Sequence, residues 1–118
     1  MLKESYVAKL KTLPKDAIKI EVGYPSLFSP SETLLKEFND IKSKFMKRGL
    51  IETDARKKAW KQTDFEKRYR EEIESKPEVI SRLKEIKELS GKKDVFLYCY
   101  CGSYPCHRFI LMDIINKM

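Results

Sequence analysis

The chain has 118 residues, enough for one domain with its own core and too few for two. Hydrophobic residues at 42% suit a packed globule, while charged residues at 36% exceed the roughly 25% of an average domain. The longest apolar run, Val95 to Cys101, is far below the roughly 20 residues needed to cross a bilayer, so no membrane association is expected.

The charge excess is carried by Lys and Glu. Gln occurs once (Gln62) and Asn twice (Asn39, Asn116), a thermophile-like balance. Met1 to Leu10 carries Lys3, Glu4 and Lys9 and so has no apolar h-region, which predicts a cytoplasmic protein. The net charge of +7 is localised. Between Lys42 and Arg70 there are eleven Lys and Arg against four acids, leaving fourteen of each sign in the remainder. A basic stretch of this kind suits a partner that bears phosphates, although Lys-rich helices are also ordinary solvated faces.

In chain order, Ala17 to Val22 alternates apolar and charged residues and reads as a half-buried strand. Ser29-Pro30-Ser31-Glu32 reads as a helix start, with Ser29 as cap, Pro30 in the first helical position and Glu32 closing a capping box. Leu34, Leu35, Phe38, Ile41 and Phe45 follow at helical spacing, and Gly49 is the stop. Thr53 or Asp54 starts a short basic helix through Trp60 and Lys61. Thr63 to Glu66 reads as a second capping box, opening a helix with Phe65, Tyr69 and Ile73 on one face. Pro77 begins a further helix whose apolar face is Val79, Ile80, Leu83, Ile86 and Leu89, with Gly91 beyond it. Val95 to Tyr100 is apolar on both alternations and predicts a central strand covered on both faces. Phe109, Ile110, Ile114 and Ile115 give the closing helix its stripe. A sheet needs more than two strands, and Tyr6 to Leu10 is the segment left to supply one. The expected fold is an α/β three-layer sandwich with a small, mainly parallel central sheet.

The chemistry concentrates at Cys101-Gly102-Ser103-Tyr104-Pro105-Cys106-His107-Arg108, a polar loop between a buried strand and a helix, where open α/β sheets bind ligands. Cys106, His107 and Arg108 would occupy the first helical turn, where N–H groups and the dipole favour an anion. There Cys106 would be partly thiolate beside Arg108, Cys99 would stay protonated in its apolar strand, and His107 would be held neutral. The three are the candidate catalytic residues, with Cys99, Tyr24, Ser31 and Arg108 as candidate ligand contacts. The three cysteines all lie within Cys99–Cys106, too close together to staple distant parts of the chain.

Other readings compete. A phosphatase-like cradle from Cys101 to Arg108 is one residue too long for that signature. A zinc site of Cys99, Cys101, Cys106 and His107 has suitable residue types, but its close spacing fits a tetrahedron poorly, so neither metal nor cofactor is assigned. The same residues also suit structural roles, with the cysteines as small core side chains. Trp60 could stack on a base or anchor the core.

Ser5-Tyr6-Val7-Ala8-Lys9-Leu10 leading to Leu13-Pro14, then Tyr24-Pro25, Ser29-Pro30-Ser31, Asp94 to Cys99 and Cys106-His107-Arg108 resemble domain-of-unknown-function family 488. The resemblance implies a compact α/β fold with a shared site at the Cys-His-Arg turn, and no particular activity. Many relatives carry an acidic residue where Cys101 stands, so Cys99, Cys106, His107 and Arg108 are the positions carried over. The functional expectation is binding of a phosphate-bearing ligand, a nucleotide or nucleic acid, with possible enzymatic action. The alternatives are a non-catalytic nucleic-acid-binding module on the Lys42–Arg70 face and a thiol-redox or zinc protein.

Overall fold

The structure is a computed structural model that describes residues 1–100 and 105–118. Strand β1 (Leu2–Tyr6) leads through a 3-10 helix (Val7–Thr12) to β2 (Ile18–Glu21). Four helices follow: α1 (Glu32–Lys47), α2 (Glu52–Gln62), α3 (Phe65–Glu74) and α4 (Pro77–Ser90). Strand β3 (Val95–Cys99) and α5 (His107–Asn116) close the chain.

The three strands form one parallel sheet in the order β1-β3-β2, with Leu2 and Ile18 both opposite Val95. The α/β class, the parallel sheet and the central place of β3 agree with the sequence. Side-chain alternation puts Val95, Leu97 and Cys99 in the main core, beside Leu34, Tyr69, Leu83 and Leu111. Phe96, on the opposite face of β3, is also buried, with Lys3 Nζ 5.7 Å from its ring centre. Both faces of the strand are therefore covered, which is why it carries no polar alternation.

The third strand lies upstream of where the sequence placed it. Leu2–Tyr6 is the strand, and most of Tyr6–Leu10 belongs to the 3-10 helix. The Lys3-Glu4 pair hides the pattern, because the inward residue Glu4 is polar and meets Arg108 of α5.

Helix starts also differ. Ser31, not Ser29, caps α1: its Oγ accepts from the Leu34 N–H at 3.2 Å. Glu72 of α3 fixes that cap, accepting from the Ser31 N–H at 2.9 Å and from its hydroxyl at 2.7 Å. Ser29 instead donates to the Ser26 carbonyl at 2.8 Å. The Thr63 hydroxyl turns back onto the Ala59 carbonyl at 2.8 Å, so it closes α2 rather than opening α3. Asp64 makes the turn with φ 52° and no side-chain cap. Pro77 does open α4, and Gly49, with φ 99°, follows α1 as a left-handed stop. In α5 the buried apolar stripe is Ile110, Leu111 and Ile115, with Phe109 and Ile114 half-buried at its margins. No helix among the described residues is long and apolar enough to cross a membrane.

Candidate functional site

Parallel strands bring their carboxyl ends to one edge, and here that edge gathers Gly23, Cys99 and the start of α5. Gly23 is needed for close approach: a Cβ there would lie 3.2 Å from Cys99 Cβ and 3.5 Å from Tyr100 Cδ2. Cys106 is the N-cap of α5, and His107 and Arg108 are its first two residues.

Cys99 and Cys106 place their sulfurs 3.2 Å apart. Arg108 Nη1 donates to Cys99 Sγ at 2.9 Å, while its Nε donates to Glu4 Oε2 at 2.9 Å. Only 3% of the Arg108 side chain is exposed. Burial works against its charge, but Cys106, Cys99 and Glu4 outweigh burial and push its pKa up. The guanidinium thus faces inward and sets its positive charge beside the sulfur pair.

His107 is held from the other side. Its Nε2 lies 2.5 Å from the Val22 carbonyl oxygen. A carbonyl only accepts, so Nε2 carries the proton and Nδ1 presents its lone pair to Cys106 Sγ at 3.7 Å. Burial pushes the imidazole pKa down to about 4; the Val22 bond opposes this, and the Arg108 and Arg56 charges add to it. A thiol near the ordinary 8.5 would lose about 6 kcal/mol in giving its proton to such a base. His107 therefore positions Cys106 rather than taking its proton, and Arg108 is the positive charge beside the sulfurs.

Cys99, Cys106 and His107 border a cavity of about 250 Å³ between the strand ends and α1, α2 and α3. Its walls are aromatic. Trp60 stacks on Phe65 with ring centres 4.2 Å apart, and the Phe38 ring meets Phe65 edge-on at 5.4 Å. Tyr24 and Tyr100 stand exposed at the rim, and Glu32 and Glu21, respectively, keep their phenols protonated by pushing their pKa values up. Arg56 enters from α2. Its Nε donates to the Pro105 carbonyl at 2.7 Å, its guanidinium carbon is 5.3 Å from the Phe38 ring centre, and it pairs with no carboxylate among the described residues. A second cavity, about 390 Å³, shares Trp60 and Cys106 and holds the Arg70–Asp113 ion pair at 2.6 Å.

The structure thus brings together Cys99, Cys106, His107 and Arg108, with Tyr24 at the rim of the same cavity. Ser31 borders neither cavity and is committed to capping α1. Cys101 lies outside the described residues, and with it the phosphatase-like cradle and the four-ligand zinc set. Among the described residues no three His, Cys, Asp or Glu side chains are grouped to hold a metal. The sequence did not single out Arg56, Phe65 or Glu4. Arg56 sits among lysines that look alike in sequence, and only the i, i+4 step to Trp60 hints that both share a helix face.

Fold and site define a small parallel α/β domain with a sulfur pair and a buried arginine at the carboxyl edge of its sheet. The chain belongs to domain-of-unknown-function family 488: the family model described as "Active DUF488-N3 subclade" matches residues 9–118. Neither a curated protein nor a solved structure matches it.

Proposed function

We propose that the cavity is a thiol-based active site for a phosphate-bearing ligand with a planar group, a nucleotide or one unit of a nucleic acid. One coincidence carries this reading: a pair of sulfurs, one of them bonded by Arg108, faces the same cavity as an aromatic wall and a second guanidinium, Arg56, that pairs with no carboxylate among the described residues. Aromatic faces take a base by stacking, and a guanidinium takes a phosphate by paired hydrogen bonds. Arg108 is occupied by Glu4 and Cys99, so the phosphate contact falls to Arg56. Cys106, which borders both cavities with the charge of Arg108 nearby, is the sulfur placed to meet the ligand.

Trp60 is the single tryptophan and lines the cavity, so its emission reports occupancy. The test titrates the four nucleoside 5′-monophosphates and inorganic phosphate against Trp60 fluorescence, in parallel with the rate of iodoacetamide labelling at Cys99 and Cys106. A saturable change with at least one nucleotide, protection of the sulfurs, and weakening by Arg56→Met are expected. If no nucleotide alters either emission or labelling, the reading is wrong.

A further inference from the structure

The +7 charge has a location in three dimensions. The Lys42–Arg70 stretch becomes the second half of α1, all of α2 and the first half of α3. Lys42, Arg68 and Arg70 are paired with Glu52, Glu37 and Asp113, and Arg56 is turned to the cavity. The other cations of the stretch, on α1 and its turn (Lys44, Lys47, Arg48), on α2 (Lys57, Lys58, Lys61) and on α3 (Lys67), are exposed. None of these pairs with a carboxylate among the described residues. With the remainder of the chain neutral, the field is directional and centred on this face.

Helix α2 links that face to the cavity. Arg56 and Trp60 point into the cavity while Lys57, Lys58 and Lys61 stand exposed on the same eleven-residue helix. A polyanion lying along the lysines would therefore pass beside the aromatic wall. A base paired within a duplex could not enter a cavity of about 250 Å³, whereas an unstacked base on a single strand could.

We infer that the α1–α2 face docks single-stranded nucleic acid and presents one of its nucleotides to the cavity beside Cys99 and Cys106. The docking half stands on the charge distribution alone, and the presentation half rests on the function proposed above.

The test is fluorescence anisotropy of a labelled single-stranded 12-mer (oligo-dT and oligo-U) with the whole chain, from 50 to 300 mM salt. Contact with about five phosphates gives a slope of log affinity on log salt near −3.5. Lys57→Glu, Lys58→Glu and Lys61→Glu together should weaken binding by 10-fold or more. Lys84→Glu, Lys92→Glu and Lys93→Glu, the same change of charge at exposed positions on and after α4, should weaken it by less than 3-fold. Circular dichroism confirms that both variants fold. Equal losses in the two variants, tighter binding of a duplex, or binding to phosphatidylserine vesicles without binding to the 12-mer would each overturn the inference. Mononucleotides separate the two proposals. If the 12-mer binds while mononucleotides neither change Trp60 emission nor protect the sulfurs, the docking face stands and the active-site reading falls. The converse result sinks the docking face alone.

Discussion

His107 gives the sharpest quantitative test of the site's interior. Replacing it by Gln keeps an N–H donor close to the position of Nε2, so the bond to the Val22 carbonyl survives while the titration is removed. The folded imidazole titrates near 4 and an unfolded one near 6.5. Between those values the unfolded chain binds a proton that the folded chain refuses, so stability rises with pH. The sign is fixed: the stability is whole above pH 6.5, erodes as pH falls, and levels off below pH 4. A difference of about 2.5 units corresponds to roughly 3 kcal/mol, nearly all of it lost between pH 7 and pH 4. Arg108 and Tyr69 lie beside the ring with their own pKa values pushed up, away from this window, and Cys106, which also meets the ring, is common to both proteins. The assay is urea unfolding of both proteins at pH 7, 6, 5 and 4, read as the difference between them. Carboxylates common to both cancel. Wild type should lose about 3 kcal/mol more than His107→Gln across the range. Parallel curves for the two proteins would show that His107 is not held neutral, and the free Nδ1 lone pair assigned toward Cys106 would fall.

Three further outcomes follow from the packing. Gly23→Ala should destabilise by about 1–3 kcal/mol, because the new methyl meets Cys99 Cβ at 3.2 Å, and it should alter iodoacetamide labelling of Cys99; unchanged labelling would refute the close approach. Ser31→Ala should cost about 1–2 kcal/mol in thermal unfolding by removing the Leu34 cap and one Glu72 bond, while leaving the nucleotide response of Trp60 intact; loss of that response would return Ser31 to the site. Glu4→Gln should cost roughly 1–3 kcal/mol and slow thiol alkylation, since Arg108 loses the partner that orients it; an unchanged alkylation rate would show that the orientation does not depend on Glu4.

Much of this architecture was legible because its cause is local. Val95–Cys99 carries apolar residues on both alternations, and Phe65, Tyr69 and Ile73 repeat every fourth residue, so each segment announces its own burial. Cys99, Cys106, His107 and Arg108 stood out as candidates because a buried strand and a helix start close in sequence concentrate unusual residue types. What stayed hidden depends on distant partners. Ser31 outcompetes Ser29 as a cap because Glu72, 41 residues away, holds it in place. Strand β1 looked too charged to be one because Glu4 is answered by Arg108, 104 residues later. Arg56 reads as one more cation in a basic run until α1 and α3 close a cavity around it. Local pattern specifies elements, whereas the exceptions to pattern are set by tertiary contacts.

The two arginines of the site divide its work in a way that follows from how each is anchored. Arg108 is held at Nε by a carboxylate on β1 and lies almost wholly out of water. Its plane is fixed by folding, so the Nη1 contact to Cys99 exists before any ligand arrives and needs no reorganisation during a reaction. The same anchoring leaves it poorly placed to follow a ligand. Arg56 is tied only through Nε to the Pro105 carbonyl, against the Phe38 face, and its terminal nitrogens make no hydrogen bond to another described residue. A guanidinium held in this manner can turn about its anchor and close on an entering anion with two parallel N–H groups. A fixed donor suits sulfurs held by the fold, and an adaptable one suits the phosphate of the function proposed above.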